Sequence, residues 1–284
     1  MLTNQAPPPA ESKSTERAYS FELPPFPATA SRLVSALNDT DTHMRQVIEL
    51  IECDPSISSC VLSIANSPLY GATRSITTIG HAVVILGFKS VSNLALTAAA
   101  GAVFSEGDAD CQTVRQETYY QSLAIGTLAR LIARAADAPN PDESFLTGVI
   151  HDIGKLVLLN AAGTEYADVL SGERTGDTTC QETLIFGTTH PELGKRCGQK
   201  VGLPASIVTA IHSHHQEIDS VGDQTSASLI AANYAARRWG IGFSPATDLE
   251  SDPALDSYLA ALDDTSLAER SQEQFDAIRE ICTL

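Results

Sequence analysis

Val149-Ile150-His151-Asp152-Ile153-Gly154-Lys155-Leu156 is the stretch on which the reading of this chain turns. Its polar pair is embedded in apolar residues, so the segment reads as a buried helix that begins near Pro141 to Ser144 and ends near Asn160. An imidazole nitrogen and a carboxylate oxygen offered side by side suit a divalent metal. An ion that activates water, however, needs about four to six ligands, several of them anionic, so partners for the pair must come from elsewhere in the chain.

Outward from that stretch, helical spacing recurs and period-2 alternation is scarce. Val47, Ile48, Leu50 and Ile51 form one apolar face, and Leu123, Leu128, Leu131 and Ile132 another. The expected class is all-α. Pro24-Pro25-Phe26-Pro27 is a stiff entry to a helix through Leu37, and Asp41 or Thr42 caps a second that ends near Asp54-Pro55. Further helices are expected at about 56–66, 78–86, 90–104, 113–136, 165–171, 179–187, 190–201, 204–213 and 225–239. A last one carries Leu267, Phe275, Ile278 and Cys282 on one face.

The polar run Ser105-Glu106-Gly107-Asp108-Ala109-Asp110 marks a boundary between two lobes. The predicted organisation is therefore a disordered leader over 1–20, lobe one over about 21–105, lobe two over about 112–240, and an acidic helical extension over 241–284. In that extension residues 248–284 hold ten acids against Arg270 and Arg279.

Composition excludes several functions. A net charge of −17 repels nucleic acid and anionic membranes, so neither is expected as a partner. No run approaches about 18 apolar residues and the leader has no signal-peptide core, which makes a cytoplasmic location the expectation. The six cysteines, at 53, 60, 111, 180, 197 and 282, form no Cys-x-x-Cys pair, arguing against a zinc finger or a disulfide framework and for reduced, small apolar side chains.

Several stretches together resemble the HDOD domain, a bacterial relative of the HD phosphohydrolases. They are Leu23-Pro24-Pro25-Phe26-Pro27, Asp54-Pro55-Ser56-Ile57, Ala65-Asn66-Ser67-Pro68-Leu69-Tyr70-Gly71, the run from Ile76 to Phe88, the His151-Asp152 region and Gly202-Leu203-Pro204. The resemblance covers about residues 21–240 and implies an all-α, two-lobed, HD-like helical bundle with a signalling or regulatory role. The enzymatic cousins, the HD-GYP phosphodiesterases of cyclic dinucleotides, supply a pattern to compare.

Against that pattern Gln121 stands where the first metal histidine is expected, and Asn233 where the last aspartate is expected. His151 and Asp152 are intact, Lys155 lies one turn on, and His190 and the pair His214-His215 match positions of extra ligands. No Gly-Tyr-Pro follows the histidine pair. Glutamine and asparagine offer only neutral amide oxygens, so Asp152 is the one firm anion, and a two-metal centre would need added charge from Glu182 or from substrate.

The expected pocket is thus degenerate, with no catalytic residue assigned. No cofactor is expected beyond, at most, one weakly bound divalent ion on His151, Asp152, His190 and one of His214 or His215. A buried hydrogen-bonded His151-Asp152 pair with no ligand accounts for the same residues. The function read from this is a non-catalytic signalling protein that works through a protein partner or a small ligand. The alternatives are a metal-dependent phosphohydrolase or cyclic-dinucleotide phosphodiesterase, and a nucleotide sensor that does not hydrolyse.

Overall fold

A computed structural model describes residues 19–39, 41–71, 75–172, 178–242, 251–262 and 265–282. The leader over 1–18 and parts of the C-terminal extension, 243–250, 263–264 and 283–284, lie outside these. Among the described residues there is no strand. The α-helices are α1 (Ala28–Asn38), α2 (Met44–Glu52), α3 (Pro55–Ala65), α4 (Ile79–Leu86), α5 (Phe88–Ser105), α6 (Gln112–Ala135), α7 (Pro141–Ile150), α8 (Ile153–Ala162), α9 (Thr164–Gly172), α10 (Thr179–Phe186), α11 (His190–Val201), α12 (Ala205–Ser213), α13 (Gln224–Trp239), α14 (Pro253–Ala261) and α15 (Leu267–Ile281).

Local sequence sets most of the boundaries. Asp54 caps α3, accepting from the backbone amides of Ser56 and Ile57 with Pro55 in the first turn, and Thr78 caps α4. The start of α2 differs from expectation. His43, not Asp41 or Thr42, is the cap, in a reciprocal box with Gln46. α14 was not anticipated either; Asp252 caps it and Pro253 opens it. Tyr19, placed by sequence in the loose leader, sets its ring edge-on against Phe186 with centroids 5.1 Å apart.

The central correction concerns 141–162. Sequence reads one helix through His151 and Asp152, whereas the chain forms α7 and α8 with a turn at those two residues, Asp152 having ψ of 12°. Together the two helices give 22 residues apolar enough to cross a membrane, contrary to the expectation that no run approaches that length. Their burial, 78% of the most apolar window, is that of a core segment.

α1–α5 pack on one another, as do α6–α9 with α11–α13, α10 joining through Phe186 against Tyr166 of α9, and α5 lies against both α6 and α7, so one hydrophobic core runs through the molecule. α7 approaches α6 through glycines: a Cβ on Gly148 would stand 2.4 Å from the Gly126 Cα, which no side chain permits. A polar tie fastens the same junction. Buried Arg130 on α6 donates to Asp142 (2.7 Å) and to the Leu69 carbonyl (2.8 Å), and its guanidinium lies 4.2 Å over the Tyr70 ring. The Tyr70 and Ser90 hydroxyls donate to the same Asp142 carboxylate. The final helix, α15, packs on α6 and reaches α3, burying Leu267, Phe275, Ile278 and Cys282 as its spacing predicts.

Candidate metal centre

The turn between α7 and α8 exists to aim two side chains. His151 Nδ1 lies 2.7 Å from the Gly148 carbonyl, which can only accept, so Nδ1 carries the proton and Nε2 presents its lone pair. That Nε2 is 3.3 Å from Asp152 Oδ2. Lys155, on the first turn of α8, donates to the same Oδ2 at 2.7 Å.

α11 reaches this turn because α8 carries Gly154. A Cβ there would fall 1.9 Å from the His190 carbonyl oxygen and 2.8 Å from the Gly194 amide nitrogen, so only glycine lets the two helices touch at this depth. The contact places His190 Nε2 3.3 Å from Asp152 Oδ1. His190 opens α11, capped by Thr189 with Pro191 following.

Glu182 orients His190. Its carboxylate accepts from His190 Nδ1 (2.8 Å), the His190 backbone amide (2.8 Å), Tyr166 Oη (2.6 Å) and Thr178 Oγ1 (2.9 Å). Although burial alone would raise its pKa, the bonds from His190 and Tyr166 hold it down at about 2. Sequence named Glu182 as a reserve of ligand charge. The structure instead engages both oxygens away from the centre, as an outer partner that fixes an imidazole. The left-handed Gly187, ending α10, turns the chain so that Glu182 and His190 meet.

The end of α12 supplies the remaining imidazoles. His214 Nδ1 donates to the Ile211 carbonyl at 2.6 Å, again freeing Nε2, which stands 3.2 Å from His190 Nε2 and 3.8 Å from Asp152 Oδ1. His215 Nε2 lies 3.0 Å from His190 Nε2. The ligand atoms of His190, His214 and His215 fall within 4.8 Å of one another, as do those of His151, Asp152 and His214. His151, Asp152, His190 and His214 are buried, whereas His215 is exposed.

Charge in the cluster is unbalanced. Burial drives the His214 imidazole well below its ordinary range, with His215 and His151 beside it, and burial also lowers His151. Burial would raise the Asp152 carboxyl, but the neighbouring His151 and Lys155, with His190 and His214, hold it well below the usual carboxylate range. Asp152 Oδ1 is buried without a hydrogen bond. An anionic oxygen and the lone-pair nitrogens of two overlapping groups that share His214, with His151, His190 and His214 each fixed from behind through Nδ1, form a donor set of nitrogens and one oxygen that fits a divalent transition-metal ion.

The structure therefore brings together His151, Asp152, Lys155, His190, His214 and His215. Gln121, on α6, and Asn233, on α13, sit on two helices that pack against each other. Gln121 Oε1 lies where a Cβ on Gly242 would meet it at 2.4 Å, and Asn233 Nδ2 is buried without a hydrogen-bond partner.

With this geometry in view, a family model for the HDOD domain matches residues 23–217. The crystal structure of an HDOD domain protein of unknown function from Geobacter sulfurreducens is similar, with 26% identity, a TM-score of 0.73 and coverage of 92% of this chain and 93% of that one. A protein from Shewanella amazonensis that bears a provisional phosphohydrolase name shares the fold, at 21% identity and a TM-score of 0.70, covering 92% of this chain and 95% of that one. An uncharacterized protein of Treponema pallidum is 24% identical over 201 residues, 68% of this chain and 38% of that protein, so the chain spans well under half the length of this curated relative. With the family model covering well over half of its residues, this chain belongs to the HDOD domain family.

Proposed function

We propose that this HDOD protein is a non-catalytic signalling module whose HD pocket holds one divalent ion at most, and which acts through a protein partner or by binding a small ligand such as a nucleotide. The observation that carries this reading is that Asp152 is the one carboxylate among the five ligand-type residues of the centre. Two divalent ions a few ångströms apart repel strongly and need several anions between them. Glu182 is committed to His190, Tyr166 and Thr178, and Asn233 is neutral.

Access supports the same conclusion. The His151, Asp152, His190 and His214 side chains are at most 5% exposed, and Lys155, the cation a phosphate would seek, is paired with Asp152. A bound ion would supply positive charge joining α8, α11 and α12. The rival reading, a metal-dependent phosphohydrolase or cyclic-dinucleotide phosphodiesterase, draws on the same imidazoles.

One experiment separates them. Purified full-length chain is assayed for metal content, then incubated with cyclic dinucleotides and nucleotide phosphates in magnesium, manganese or iron. The expected result is no more than one ion per chain and no turnover above background. Reproducible hydrolysis that vanishes in Asp152→Ala would overturn the non-catalytic reading.

A further inference from the structure

Cys60, on α3, and Cys282, at the end of α15, bring their sulfurs to 3.8 Å although 222 positions separate them in the chain. Both are free thiols. Cys60 is partly exposed and Cys282 buried, with only 6% of its surface open. We propose that this pair is an oxidation site, at which a peroxide converts the two thiols to a disulfide that locks α15 onto the N-terminal helices.

The surroundings suit the chemistry. A disulfide needs its sulfurs at about 2.05 Å, so closure from 3.8 Å requires a side-chain adjustment at two helix surfaces already in contact. The two thiols hydrogen-bond to each other and either can donate; the contact lowers the Cys60 pKa and raises that of Cys282, to which burial adds. The hydroxyl of buried Tyr119, on α6, also bonds Cys282. Cys60, the more exposed of the two, is the member a peroxide reaches, and buried Cys282 the resolving one.

The step balances. Cys60 thiolate attacks one peroxide oxygen, the O–O bond breaks, and Cys60 becomes a sulfenic acid as hydroxide leaves. Cys282 then attacks the Cys60 sulfur, its proton leaves with the sulfenic oxygen as water, and the S–S bond forms. Two thiols are oxidised and one peroxide is reduced.

The pair differs from the remaining cysteines in a way that controls the test. Cys53 and Cys180 are exposed, and Cys111 and Cys197 buried. Full-length protein with Cys53→Ser and Cys180→Ser is reduced, desalted and treated with hydrogen peroxide. The expected products are a chain lighter by two hydrogen atoms, a Cys60–Cys282 cross-linked peptide in a non-reducing digest, and a midpoint of thermal unfolding raised by roughly 5 °C or more, all reversed by dithiothreitol. Cys60→Ser and Cys282→Ser should each abolish the cross-link and the shift. The proposal fails if peroxide carries Cys60 to sulfinic acid without a cross-link, if both thiols persist, or if the cross-linked chain unfolds at the same temperature as the reduced one. Digest mapping of the parent chain needs neither single variant to fold.

Discussion

His190 Nε2 stands 3.3 Å from Asp152 Oδ1, a buried carboxylate oxygen that has no hydrogen bond. Because His190 Nδ1 is engaged by Glu182, the facing nitrogen offers a lone pair to an anion, and a cation between them relieves both. Zinc or manganese at about a hundredfold excess over its dissociation constant should add about 2.7 kcal/mol of stability, a rise of roughly 5–10 °C in the unfolding midpoint. His190→Ala should lose that rise, and chelator should reverse it in the parent chain. Identical midpoints with and without metal would sink the assignment.

How much of this was legible in the sequence depends on what fixes each feature. The helices follow from apolar spacing and from caps such as Asp54 and Thr78, whose chemistry is local. His43 escaped because histidine is a rare cap, and its role depends on Gln46 reaching back. The break at His151-Asp152 was invisible because apolar residues continue on both sides of it, Val149-Ile150 before and Ile153 and Leu156 to Leu159 after; the turn is set by the bond from the His151 ring to Gly148 and by the close contact at Gly154. The residue types of the centre could be read in the chain, but the fixing of His151, His190 and His214 from behind could not. Glu182 meets His190 only through the turn at Gly187, and nothing in the sequence singles it out for that task.

Glu182→Gln tests that outer partner. Glutamine cannot accept every bond the carboxylate takes from His190, Tyr166 and Thr178, so a loss of about 2–3 kcal/mol is expected in denaturant unfolding. The pH dependence has a definite sign. With a folded pKa near 2 and an ordinary value of 4.5, Glu182 contributes stability that is fully present above about pH 4.5 and is lost as pH falls toward 2. The difference between parent and variant should therefore shrink across that window. A difference that stays constant down to the acid limit would contradict the assigned pKa.

Arg130→Met tests the junction of α5, α6 and α7. Removing the guanidinium strands the Asp142 carboxylate, which is 13% exposed at its side chain, with only the Tyr70 and Ser90 hydroxyls. Breaking one side of such a buried pair costs about 3–5 kcal/mol, whereas replacing both partners by apolar groups is often near neutral. Arg130→Met with Asp142→Leu should accordingly recover much of the single-variant loss. Strictly additive losses in the double variant would show that the two residues do not act as a pair.

Gly154→Ala joins the packing to the centre. The added methyl would fall 1.9 Å from the His190 carbonyl oxygen, a backbone atom that cannot swing aside, so α8 and α11 must separate. Overpacking of this kind costs about 1–3 kcal/mol, and more where backbone has to move. Separation also draws Asp152, which precedes α8, away from His190, which opens α11. Two effects are expected together: a lower unfolding midpoint without metal, and a metal-induced rise smaller than that of the parent chain. Gly163→Ala is the control, since nothing lies within 4 Å of its added Cβ, and it should lose only what its positive φ of 57° imposes while keeping the metal response. A Gly154→Ala protein that binds metal as tightly as the parent would show that the contact of α8 with α11 does not set the distance between Asp152 and His190.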